Sequence, residues 1–271
     1  MNEQYIAIFD SGLGGFTTLS DAIHKFPNEN FLFYADTKHV PYGEKPLQTV
    51  RELTINAVKE ILSYNVKAVI LACNTATSAA ADQLRAENKT PIIGMEPAIK
   101  PALSSLDKHS PANRVLLLST QLTMKGEKLT RLTEQIDQDK QIDCIPLPRL
   151  VELAEAMDFD SPEVIRCLHE AILSCNPRQY GAVVLGCTHF IWYKNLLKSL
   201  LPSHTKLFDG NAGTLNHLYN ILQAKNQLTA SPNKKRTITL HFTDPPDPLK
   251  VQMLTSKLNC PVQIIQPHRN T

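Results

Sequence analysis

Two cysteines stand in matching company. Cys73 follows the apolar run Ala68-Val-Ile-Leu-Ala72 and precedes Asn74-Thr-Ala-Thr-Ser78, and Cys187 follows Ala182-Val-Val-Leu-Gly186 and precedes Thr188 and His189. Each pattern reads as a buried strand delivering a thiol to its carboxyl end. Behind Cys73 an Ala-rich helix is expected through about Glu87, with Asn74 and Thr75 as N-cap residues. A helix start attracts anions through its unpaired N–H groups and favours a thiolate. His189, two residues beyond Cys187, can activate or orient that thiol. A buried free cysteine is also a common small hydrophobe, so neither position speaks for chemistry alone. A metal reading fails, because Cys144, Cys167 and Cys175 stand at no recognisable ligand spacing.

As a pair the thiols suit one task. Inverting a carbon centre means taking a proton from one face and returning one to the other, so two acid/base groups must flank the substrate. A thiol titrates near physiological pH, so one can start as thiolate and the other as thiol. Without a cofactor, hydrogen bonds and exclusion of water must stabilise the carbanion.

Phe9-Asp-Ser-Gly-Leu-Gly-Gly15 is a strand followed by a glycine turn into a helix over residues 16–26. One reading is a dinucleotide fingerprint with Asp36 as the ribose acid, although Thr17 occupies the place of the third glycine. In the other, Asp10 and Ser11 meet a ligand ammonium and the glycines keep the turn tight. Pro41-Tyr42-Gly43 is a turn whose amides can cradle a carboxylate. Glu152 begins a helical stretch and is either a solvated carboxylate or a site acid. His24, His109, His204 and Cys260 read as ordinary residues, and Cys144, Cys167 and Cys175 suggest no role.

These residues need a scaffold. Continuous apolar runs at 5–9, 31–35, 68–72, 114–118 and 182–185 alternate with helical periods, the clearest from Pro46 to Tyr64. Strands apolar on both faces imply a parallel sheet covered by helices, hence an α/β fold. The chain also echoes itself: Cys187 follows Cys73 by 114 residues, and Thr120 follows Ser11 by 109. Two similar halves facing each other would bring both thiols to one cleft at the carboxyl ends of the strands. The expected division is 1–97 with 208–271, and 98–207. Residues 226–236 read as an exposed link to a late strand at 237–242.

At 271 residues, 42% hydrophobic and 20% charged, with a formal charge of +2, the chain can bury ample core. Its interspersed charges nominate no nucleic acid, and no apolar run reaches the roughly 18 residues a membrane helix needs. The six separated cysteines and the absence of a basic, apolar leader point to reduced thiols in the cytoplasm.

Together these blocks, with Gly94-Met-Glu-Pro-Ala98, Leu150-Val-Glu152 and Leu185-Gly-Cys-Thr-His189, resemble the glutamate racemase family. The resemblance implies two flavodoxin-like, doubly wound domains with the active site between them. It also implies cofactor-independent interconversion of L- and D-glutamate for peptidoglycan synthesis, by a homodimer holding no metal. On this resemblance Cys73 acts on D-glutamate and Cys187 on L-glutamate. Asp10 and His189 assist the thiols, and Asp36 and Glu152 are acids near the site. Ser11, Pro41, Tyr42, Gly43, Asn74, Thr75 and Thr188 match substrate-binding positions, with Asp10 and His189 also in reach. Thr120 or Thr123 lines the cleft, and the residues do not choose between them. The chain departs from the pattern at Ser119, Gly126, Lys128 and Phe190-Ile-Trp192. An aspartate or related amino-acid racemase of the same superfamily, or a non-catalytic or dinucleotide-binding α/β protein, remains an alternative.

Overall fold

The computed structural model describes residues 4–230, 236–244, 246–256, 258 and 261–265; Cys260 and residues 231–235 of the expected link lie outside them. Ten strands form among the described residues: β1 (Tyr5–Asp10), β2 (Asn30–Ala35), β3 (Val66–Leu71), β4 (Ile92–Gly94), β5 (Arg114–Ser119), β6 (Ile142–Pro146), β7 (Tyr180–Leu185), β8 (Lys206–Asp209), β9 (Ile238–Phe242) and β10 (Val262–Ile265). They build two sheets, ordered β10-β9-β2-β1-β3-β4 and β6-β5-β7-β8. Every pairing is parallel.

The echo runs through the backbone. Counted from its own first strand, each sheet contains the order 2-1-3-4. Both carry the same irregularity in register at the start of the central pair, between Tyr5 and Ile6 in one and between Arg114 and Val115 in the other. Strand order reverses beside β1 and β5, where ligands of open α/β sheets bind. Asp10 and Cys73 stand at one such switch, and Thr120 and Cys187 at the other.

Alternate residues of a strand face opposite sides, so each sheet separates two cores. Ile6 and Ile8 pack on one side of the first sheet with α1 (Phe16–Lys25) and the helix Asn211–Ala224. Ala7 and Phe9 pack on the other with α2 (Leu47–Ile61) and α3 (Asn74–Glu87). The second sheet is covered in the same way. The expected helix at 46–64 is shorter, since Pro46 is the N-cap and Leu62 the C-cap. The expected division at 207/208 falls inside β8, which pairs with β7 as far as Asp209. The chain therefore returns to the first half at Gly210, where Thr18 Oγ1 donates to Asn211 Oδ1 at 2.9 Å. Among the described residues no helix is long and apolar enough to cross a membrane.

Candidate active site between paired thiols

Cys73 and Cys187 each stand two residues beyond the end of a central strand, β3 and β7. Both are buried, at 6% and 8% exposure. The N-cap stands ahead of the expected Asn74 and Thr75. Cys73 itself caps α3, its sulfur accepting from Ala76 N at 3.4 Å. Burial pushes the Cys73 thiol up to about 12, with the Asp10 charge adding to it; bonds from the Ser11 hydroxyl and the Ala76 N–H pull the other way. Cys187 precedes a short 3-10 segment, Thr188–Tyr193. Its sulfur lies 3.5 Å from His189 Nδ1.

Asp10 is fully buried at the end of β1. Gly12 N donates to its Oδ1 at 3.0 Å, and Thr188 Oγ1, from the second half, donates to its Oδ2 at 3.1 Å. Burial raises its carboxyl to about 6 against the opposing pull of His189.

His189 Nε2 sits 2.5 Å from Oε1 of Glu155, which also accepts from Leu13 N at 2.6 Å. Burial works against its charge. The Cys187 thiol and the Glu155 carboxylate outweigh it and hold the imidazole well above its ordinary range.

Glu155, not Glu152, is the glutamate at this site. Glu152 lies on the exposed side of the helix Pro148–Glu155, paired with Arg149, which also donates from Nε to Glu163 at 2.8 Å. Three residues further on, the helix ends beside the imidazole. The sequence offered one signal, an Arg149 able to satisfy Glu152 one turn away.

Asp36 is placed one layer back from the thiols. Its carboxylate takes Tyr42 Oη at 2.6 Å, His39 Nδ1 at 2.8 Å and Thr243 Oγ1 at 2.8 Å, and so braces the loop Pro41–Gly43. That loop abuts the second half, because a Cβ on Gly43 would lie 2.7 Å from Thr120 Cβ. Thr120 and Thr123 are both brought in: Thr75 Oγ1 lies 3.0 Å from one hydroxyl and 3.2 Å from the other. Ser11, Asn74, Thr75 and Thr188 are buried around the thiols, with Asn74 Nδ2 donating to Met95 O at 3.3 Å. The site is closed. An open cavity of about 540 Å³ lies elsewhere, where the chain crosses between halves near Glu96 and Gly210. Burial and the geometry of the thiols mark the candidate site, not cavity size. Among the described residues no group of three His, Cys, Asp or Glu side chains could hold a metal ion.

The glycines of Gly12-Leu-Gly-Gly15 do more than tighten a turn. Among the described residues no glycine has a positive φ, so backbone freedom is not the reason for them. Added Cβ atoms would lie 2.2 Å from Glu155 Oε1 at Gly12 and 2.5 Å from Thr188 Oγ1 at Gly14. The bare backbone lets the two halves close on one another. Gly14→Ala is therefore expected to cost about 1–3 kcal/mol by overpacking, roughly 3–10 °C in Tm for a chain of this size. Gly213, inside the helix Asn211–Ala224 with nothing within 4 Å of an added Cβ, is the control. Gly213→Ala gains helix propensity, and thermal unfolding should move the two variants in opposite directions.

The fold and site define a two-domain α/β enzyme with matched thiols facing one closed interface. Residues 21–218 match the Asp/Glu/Hydantoin racemase family, and the chain belongs to it. It is 43% identical over 241 residues to glutamate racemase of Campylobacter curvus, covering 88% of this chain and 90% of that one. To glutamate racemase 2 of Bacillus subtilis it is 44% identical over 223 residues, 82% and 83% of the two chains. Glutamate racemase from Thermus thermophilus, solved in complex with β-chloro-D-alanine, superposes with a TM-score of 0.79 at 29% identity, covering 98% and 97%.

Proposed function

We propose that this chain interconverts L- and D-glutamate without a cofactor, moving protons through Cys73 and Cys187. One observation carries the reading: equivalent strands of two similar halves each deliver a buried thiol, and each thiol has its own partner, Ala76 N–H for Cys73 and His189 for Cys187.

The substrate α-carboxylate lies on Asn74, Thr75 and Thr188, the ammonium near Asp10 and Ser11, and the side-chain carboxylate by the loop Pro41–Gly43. From L-glutamate, the Cys187 thiolate takes the Cα proton, and the Cys73 thiol then gives its own proton to the opposite face. Cys187 finishes protonated and Cys73 as thiolate, and D-glutamate runs the steps in reverse. A Cys73 thiol raised to about 12 is protonated at neutral pH, as a proton donor must be. A charged His189 offers a hydrogen bond to the Cys187 thiolate. N–H groups at the start of α3 and exclusion of water stabilise the carbanion.

Proton NMR of the protein with L-glutamate in D₂O, no cofactor added, tests this. The Cα–H signal should disappear while D-glutamate accumulates on a chiral assay; a retained signal ends the proposal. On the same reading the product serves peptidoglycan synthesis in the cytoplasm. The working form is a homodimer, which light scattering reads directly.

Asp10 makes the reaction pH-dependent. Its carboxyl, raised to about 6, takes up a proton two units earlier than the ordinary 3.8, so kcat/KM should fall on the acid side with a midpoint near 6. Asp10→Asn should remove that limb along with most of the rate. Because the folded state holds this proton more tightly than the unfolded chain, the group gives stability as pH falls from about 6 towards 4 and withholds it above. The same variant should therefore raise Tm at pH 8. An acid limb centred near 4, or a lower Tm at pH 8, contradicts this account.

A further inference from the structure

The helix Pro148–Glu155 ends in an uncommon way. Asp158 N bonds Leu153 O and Met157 N bonds Ala154 O, both at 2.9 Å, the paired contacts of a Schellman terminus. The position that usually carries glycine carries Met157, at φ 61. A left-handed backbone is unfavourable for a residue with a large side chain, and such strain persists only where the surroundings impose it. Here Met157 packs into the core of the first half, although its helix belongs to the second.

The cap satisfies the carbonyls of Glu152, Leu153 and Ala154. That of Glu155 is met from across the interface. Lys250, on the helix Pro248–Thr255 of the first half, donates from Nζ to Glu155 O at 2.7 Å. A cation suits this end of a helix. The side chain of Glu155 holds His189 Nε2.

We infer that Lys250 and Met157 are positioning residues, which dock the end of this helix on the first half and so set the Glu155 carboxylate against His189 and, through the imidazole, the Cys187 thiol. The inference rests on the racemase reading for its catalytic consequence, not for its geometry. Two anchors of different chemistry, one a hydrogen bond from a charged amine and one apolar, converge within three residues of chain, at Glu155 and Met157. A helix end that only needed to stop could have used glycine at 157 and water at the last carbonyl. The groups facing His189 are Glu155 from this helix, Asp10 from β1 and Cys187 from its own segment. Of these, Glu155 is the one the anchors control.

The test uses the full chain and two readouts. Lys250→Met should lower kcat/KM about tenfold, chiefly in kcat, as misplacement of a catalytic group does. By NMR titration of the imidazole it should also move His189 down by about half a pH unit, since a partner that favours the charged form is loosened. Lys250→Arg should restore most of both. Met157→Gly keeps the turn but removes the apolar anchor, and should shift His189 the same way. It decides the matter if Lys250→Met does not fold. A His189 titration unmoved in these variants overturns the inference, even if Tm falls, because the anchors would then be structural only. Should the wild type fail to racemise glutamate, the function falls, while the titration still judges the docking.

Discussion

Cys73→Ala and Cys187→Ala are each expected to lower racemisation of glutamate by about 10³-fold, within the range that a positioned acid/base group contributes, and to leave the fold standing. Each change removes one sulfur atom from a buried position, but the two are not equivalent structurally. Cys73 caps α3 through its sulfur, so its loss should cost a further ~1 kcal/mol, whereas Cys187 caps nothing with its side chain. The chemical consequence is more telling than the rate. With Cys73 gone, Cys187 can still take a proton from L-glutamate but can return one only to the same face. Slow deuterium uptake into L-glutamate, without inversion, should survive in D₂O. Cys187→Ala should show the mirror result with D-glutamate. Wild-type turnover in either variant would sink the two-thiol mechanism. Exchange of both enantiomers by both variants would sink the assignment of one thiol to each face.

The positions of both thiols were legible because the strands that carry them are buried on two faces. A run such as Ala68-Val-Ile-Leu-Ala72 has no solvent side to interrupt it, and its end marks the edge of the core. β4, β6, β8 and β10 leave no such run in the sequence. They are short, or lie at an edge where Asp143 and Lys206 are tolerated, so their apolar signal never accumulates. Glu155 was missed for a different reason. Two glutamates three residues apart share a helix, and only the end of that helix decides which one reaches the imidazole. The glycine turn is plain in the sequence, but Gly12 and Gly14 are bare because of Glu155, Thr188 and His189, 140 residues and more away, and only Gly15 answers to a near neighbour, Asp10. Distance of that kind leaves no trace in a local pattern. Lys67 and Glu29 illustrate it further, since each looks like an ordinary charge beside the start of a strand.

In the fold those two charges are buried together, both side chains 3% exposed, with Lys67 Nζ 2.6 Å from Glu29 Oε2. The pair lies at the amino ends of β2 and β3, opposite the thiols. Lys67 also donates to Gln227 O at 2.7 Å and to Thr229 Oγ1 at 3.3 Å, and Glu29 Oε1 accepts Thr229 N at 2.8 Å. The network pins the chain that leaves the helix Asn211–Ala224 beneath the first sheet. Lys67→Met should therefore cost about 3–5 kcal/mol, because it strands a carboxylate without its counter-charge, and lower Tm by roughly 10 °C or more. Adding salt should not mimic the loss, as a buried pair is little screened. Removing both charges should hurt less than removing one. Lys67→Met with Glu29→Gln keeps an acceptor for Thr229 and leaves no stranded charge, so it should recover part of the lost Tm. Below the melting transition kcat should be unchanged, since no member of the network approaches Cys73 or Cys187. A double variant no more stable than Lys67→Met would show that the hydrogen bonds, and not the charge pairing, hold this end of the molecule together.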